Sequence, residues 1–153
     1  MSKFNLRKAL RKLDIEVKPF GYQGTGAPAM DAARQDITRG YSLDRWLAIN
    51  PNERWPEFVT FHEMAHIILG HTVLHHKMSP EAFYSHKRTN HDLNETECHV
   101  AAIMTALVTK APFDMNGELE HLHFGYTKGR DVPEEILQRA SEVSMIIAEA
   151  GGM

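Results

Sequence analysis

Residues 60 to 71, TFHEMAHIILGH, hold three histidines and one glutamate among side chains that are otherwise almost all apolar. If this stretch is helical, His62 and His66 are one turn apart and project from the same face, as two imidazole ligands of one metal ion require. Glu63 follows the first of them directly. At that position it need not bind the ion, but it can act as a general base that takes a proton from an activated water and returns it to the leaving amine of a cleaved peptide. Burying three ionisable groups within five residues, beside Phe61, Ala65 and Ile67, is costly unless something offsets their desolvation. A divalent ion does so for all three; the alternative is a packed helix with two satisfied histidines and an ion-paired glutamate.

A catalytic zinc site uses three protein ligands and keeps a fourth position open. The third is expected in DLNETECHVAA, residues 92–102. Asp92 and Glu95 have the spacing of an N-terminal capping box, which assigns Glu95 to the helix start. Residues two apart diverge around a helix, so Glu95 and Glu97 cannot share a face. Glu97 lines up with Val100 and Ala101, small enough to let another helix approach, and it is the expected third ligand, with Glu95 or a histidine as the alternatives. His71 falls one residue short of the His-Glu-x-x-His-x-x-Gly-x-x-His spacing of another zinc peptidase class. His71, His75 and His76 read as a wet cluster at a helix end, where the dipole favours positive charge. Cys98 reads as core packing, and His99 has no assigned partner. His121, His123 and Tyr126 are candidate donors to a developing oxyanion if their segment folds over the metal, and otherwise belong to a polar loop or short strand.

The elements that must position these residues are legible in outline. SKFNLRKALRKL predicts a first helix, with Leu6, Leu10 and Leu13 on one stripe and a basic, solvated opposite face. PFGYQGTGAPAM predicts a loop or short irregular strands, without the spacing of a phosphate loop. SLDRWLAIN predicts a strand, stopped by the prolines and asparagine of PNERWPE. Pro56 to Leu69 predicts a largely buried helix that begins with a tolerated proline and ends at Gly70. Residues 71–91 lack sustained periodicity and predict a long connection. ETECHVAAIMTALV predicts a helix ending before Pro112, APFDMNGELEHLHFGYTKGRD is ambiguous, and VPEEILQRASEVSMIIAEA predicts a terminal helix.

The whole combination resembles the compact zinc metallopeptidases of the ImmA/IrrE group and, more distantly, the metallopeptidase domain of ArdC-type antirestriction proteins. HEMAH matches their zinc-binding helix. ECHVAA matches the later Glu-Ala-Asn/Asp-x-Phe-Ala-Ala motif, with Cys98, His99 and Ala101 replacing the usual residues, and WLAIN resembles the edge strand before the active-site helix. The similarity covers roughly residues 40–108, with a weaker likeness to ArdC-type domains in the last helix. It implies an α+β, zincin-like (gluzincin) fold in which the active-site helix packs on a small twisted sheet. It also implies His62, His66 and Glu97 as zinc ligands, Glu63 as general base, and an extended protein or peptide substrate aligned on the sheet edge. The same likeness leaves a second reading, a non-catalytic, metal-stabilised protein that blocks a restriction or regulatory factor.

Length and composition set the outer bounds. The 153 residues fit one domain spanning 1–153, with 42% hydrophobic and 24% charged residues, ordinary values for a globular chain. A net charge of -3 gives no general attraction to nucleic acid or an anionic membrane. A single cysteine excludes an intramolecular disulfide, and with no signal peptide or membrane span legible the expected location is the cytoplasm. All ten histidines fall between His62 and His123, the interval that also contains every expected metal ligand.

Overall fold

A computed structural model describes the backbone of residues 3–22, 38–71 and 80–153, and the side chains of these apart from residues 80–91. Among them are five α-helices, one π-helical turn and a three-stranded mixed sheet, an α+β arrangement. None of the helices is long and apolar enough to cross a membrane. His75, His76 and most of PFGYQGTGAPAM lie outside the described residues.

Helix α1 (Leu6–Lys12) is opened by Asn5, whose side-chain oxygen accepts the Lys8 backbone N–H at 2.9 Å. It buries Ala9 and Leu10 and packs on the C-terminal helix. Strand β1 (Glu16–Val17) then runs parallel to β3 (Trp46–Ile49), which pairs antiparallel with β2 (Gly40–Leu43) on its other side. The stretch predicted as one strand, SLDRWLAIN, is therefore the end of β2, a tight turn and β3. Asp44 makes the turn with φ 54°, a left-handed conformation that a short polar side chain tolerates. A further correction follows: among the described residues WLAI is the central strand of the sheet, and β2 is an edge.

Helix α2 (Pro56–Ile68) has proline in its first turn, and every residue from Phe58 to Ala65 is buried. The sheet strands β2 and β3 cover one side of it and helix α3 (Pro80–Thr109) another. Phe58, Phe61 and Met64 are at most 1% exposed, and full burial of such side chains contributes about 1.5–3 kcal/mol each. Gly40 sits where β2 meets α2. A Cβ there would lie 2.9 Å from Val59 Cγ1 and 3.0 Å from Ile49 Cδ1, so glycine is what lets the edge strand approach this closely.

Helix α3 begins twelve residues earlier than Asp92, at Pro80, and lies between α2 and the C-terminal helix α5 (Glu134–Ala150). Asp92 is thus an interior residue of α3 and not a cap. Its backbone carbonyl accepts the Thr96 hydroxyl at 2.6 Å, and its carboxylate meets Lys128 at 2.8 Å. After α3, Asp114 caps a short helix α4 (Met115–Glu120) through the Gly117 N–H. This leads directly into a π-helical turn, His121–Tyr126.

Candidate metal centre

The two motif histidines converge as their spacing predicts. One carboxylate bridges them: Glu95 Oε2 lies 2.9 Å from His62 Nε2, and Glu95 Oε1 lies 3.0 Å from His66 Nε2. Glu97, the expected third ligand, is elsewhere. Its Oε2 accepts Arg139 Nε of α5 at 2.7 Å, and its Oε1 lies 3.3 Å from His71 Nε2. The physical reason is the longer α3. With Asp92 inside the helix, no capping box holds Glu95, and the divergence of positions two apart sends Glu95 toward α2 and Glu97 toward α5. Both faces of α3 are packed against a helix, so small neighbours such as Ala101 did not distinguish them.

Among the described residues, two groups of three side chains have donor atoms within 4.8 Å of one another and could hold a metal ion: His62, Glu63 and His66, and His66, His71 and Cys98. The contacts of Glu95 fit the first of these sites. Ligand atoms at about 2.1 Å around a tetrahedral ion stand roughly 3.4 Å apart, a little more than the 2.9 and 3.0 Å that separate the Glu95 oxygens from His62 and His66. Burial alone would raise the Glu95 pKa, but the hydrogen bonds and charges of His62 and His66 outweigh it and hold the carboxyl far below its usual range. Burial opposes a charge on His66, yet Cys98 and Glu95 together hold its pKa well above the ordinary value. A carboxylate and two imidazoles drawn together in this way offer what a divalent cation needs.

Glu63 stands beside the histidines on the wall of a cleft of about 150 Å³. Ser42 of the edge strand donates its hydroxyl to Glu63 Oε1 at 2.8 Å, fixing one oxygen of the carboxylate. Across the cleft stand His121 and Tyr126. In an α-helix residues five apart point roughly 140° away from each other, but the π-helical turn brings these two together, with His121 Nε2 2.9 Å from the Tyr126 hydroxyl. Burial, and then the carboxylates of Glu95 and Glu63, push the Tyr126 phenol above its ordinary pKa, so it stays a hydrogen-bond donor. Burial likewise lowers His121. His123 does not join them; it points away, ring against Phe124.

Behind the histidines lies a layer that no local motif announces. His99 Nδ1 is 3.3 Å from His62 Nδ1, and His99 Nε2 faces Glu118 through its carbonyl at 3.2 Å and its carboxylate at 3.3 Å. Arg39 donates to both oxygens of Glu118, at 3.0 and 2.8 Å, and also to Glu53 at 2.8 Å. Desolvation would raise Glu118, but His99 and Arg39 override it and hold the carboxyl at about 2. On the other side Gly70, at φ 77°, ends α2 and returns the chain so that the His71 N–H reaches the His66 carbonyl at 3.0 Å. That turn sets His71 Nδ1 3.0 Å from His66 Nδ1, with Cys98 Sγ at 3.6 Å. Burial pushes the Cys98 thiol up to about 11, against the pull of His66. The ten clustered histidines were the one sequence signal for this layer; Arg39, Ser42 and Glu118 carried none.

Comparison with protein-family models, curated proteins and solved structures finds no match to this chain.

Proposed function

We propose that the chain is a zinc-dependent endopeptidase of zincin type acting on a protein or peptide, with His62, His66 and Glu95 as the metal ligands and Glu63 as the general base. The observation that carries this reading is the meeting of two imidazole Nε2 atoms on one carboxylate beside an unspent glutamate in an open cleft. Zinc held by that set would supply Lewis-acid activation of water and of a scissile carbonyl.

The chain's own residues supply the rest. Glu63, with Oε1 held by the Ser42 hydroxyl, keeps its other oxygen to take a proton from water in the cleft and pass it to the departing amine. Tyr126, supported by His121, offers an O–H where negative charge would develop on the carbonyl oxygen. Strand β2 is a sheet edge with Gly40 on the cleft wall, which suits an extended substrate bound by main-chain hydrogen bonds.

The test is Glu63→Gln. Gln keeps the size of the side chain and an acceptor for Ser42 but cannot take up a proton as a carboxylate does. The variant is expected to retain zinc and fold while losing cleavage of a protein partner, scored as new termini by mass spectrometry. Equal cleavage by the wild-type and variant chains would sink the mechanism. A partner bound and inhibited equally by both, and cut by neither, would favour a non-catalytic, metal-stabilised protein.

A further inference from the structure

Each of the two metal-facing histidines is backed by a chain of the same composition. His62 leads to His99, then Glu118, then Arg39; His66 leads to His71, then Glu97, then Arg139. The two chains come from different parts of the fold. One ends on the segment before β2 and the other on the C-terminal helix, yet the order histidine, histidine, glutamate, arginine is repeated. We infer that these are two positioning relays, in which Glu118 and Glu97 each set the ring orientation and protonation pattern of a metal ligand through an intervening histidine.

In the metal-free chain Nε2 of His62 and of His66 donates to Glu95; with a metal there instead, hydrogen-bond logic assigns the remaining protons. Glu118 presents only acceptors to His99 Nε2, so that nitrogen carries a proton, and neutral His99 then has a lone pair on Nδ1. The 3.3 Å contact between the two Nδ1 atoms is attractive only if His62 supplies the N–H. His62 Nε2 is thereby left as the atom for the metal. The second relay repeats this: Glu97 Oε1 accepts from His71 Nε2 at 3.3 Å, His71 Nδ1 accepts from His66 Nδ1 at 3.0 Å, and His66 Nε2 faces the site. Each arginine fixes its glutamate in place. A carboxylate behind a metal-bound histidine is a general device for orienting the ring; here a second imidazole is inserted, which extends its reach to Arg39 and Arg139. Glu97 thus belongs to the metal site without touching it.

The inference rests on the metal reading above, and the experiment separates the two. In the zinc-loaded chain labelled with nitrogen-15 at histidine, NMR should show His99 and His71 protonated on Nε2 only. It should also show scalar coupling across N–H···N hydrogen bonds from His62 to His99 and from His66 to His71. Zinc affinity, from chelator competition, should fall about 10- to 100-fold in His99→Phe, which keeps a ring but removes the acceptor. His99→Asn, whose Oδ1 occupies roughly the place of Nδ1, should recover to within about threefold of wild type. Because His99 is buried, the pair His71→Ala and His71→Asn repeats the comparison at the less buried turn after α2. Protons on Nδ1 of His99 or His71, or Asn variants no better than Phe and Ala in chains that hold zinc, would overturn the relays. A wild-type chain that takes up no zinc would instead overturn the metal reading.

Discussion

Exchanging Glu95 and Glu97 for glutamine, one at a time, separates the two phases of helix α3. The chemical change is identical and the positions are two residues apart, so differences in outcome report where each carboxylate points. In Glu95→Gln the amide stays near His62 and His66 but loses the charge that lies 2.9 and 3.0 Å from their Nε2 atoms. Zinc sites with four protein ligands bind with about 10–16 kcal/mol, roughly 3 kcal/mol per ligand. At about 1.4 kcal/mol per decade, loss of the charged ligand is expected to weaken zinc binding roughly 100- to 1000-fold. In Glu97→Gln the side-chain oxygen can still accept from His71, and Arg139, with a side chain 49% exposed, can turn to water. Weakening of such a half-exposed pair is worth under about 1 kcal/mol, so zinc affinity should change by no more than about fivefold. The assay is competition against a chromophoric chelator, with zinc content after gel filtration measured by elemental analysis and folding followed by circular dichroism. Wild-type affinity in Glu95→Gln, or an equal collapse in Glu97→Gln, would refute the assignment and restore Glu97 as the ligand.

Other perturbations follow from the same geometry. Tyr126→Phe removes the hydroxyl but not the ring and should lower kcat about 10- to 100-fold with zinc content and KM little changed; unchanged kcat would exclude Tyr126 as the oxyanion donor. Gly70→Ala forces a side chain into φ 77° at an expected loss of about 1–2 kcal/mol. It should also weaken zinc binding by displacing His71, and a chain with unaltered thermal midpoint and affinity would contradict this. Glu118 is held at about 2 against an ordinary 4.5, so in the folded chain it binds fewer protons across that interval. Its stabilising contribution is present above about pH 4.5 and lost as the pH falls toward 2. Denaturant titrations of the metal-free chain should show this acid slope at about 1–2 kcal/mol, discounted for half-exposed Arg39, and Glu118→Gln should flatten it; identical slopes would remove Glu118 from the acid response.

What the sequence determined by itself is local and periodic. His62 and His66 share a face because four residues make about one helical turn, and that holds wherever the helix is placed. The buried character of residues 56–69, the stop at Gly70 and the terminal helix from Glu134 follow from apolar spacing and a glycine free to adopt positive φ. SLDRWLAIN reads as a single strand because one left-handed aspartate is enough to fold it into a hairpin, and Asp44 has no distinguishing neighbour.

Tertiary structure decided the phase and the partners. Glu95 and Glu97 have the same chemistry, and only the start of α3 at Pro80, with α2 on one side and α5 on the other, determines which meets the histidines. The polar run before Asp92 has no periodicity, so the helix across it was illegible, and a cap inferred at its end claimed Glu95. His121 and Tyr126 meet because of a π-helical turn that residue types do not encode. Arg39 reaches Glu118 across 79 positions and Arg139 reaches Glu97 across 42. Contacts of that separation leave no spacing in a single chain, because the geometry that selects them comes from packing three helices and a sheet edge around one cleft.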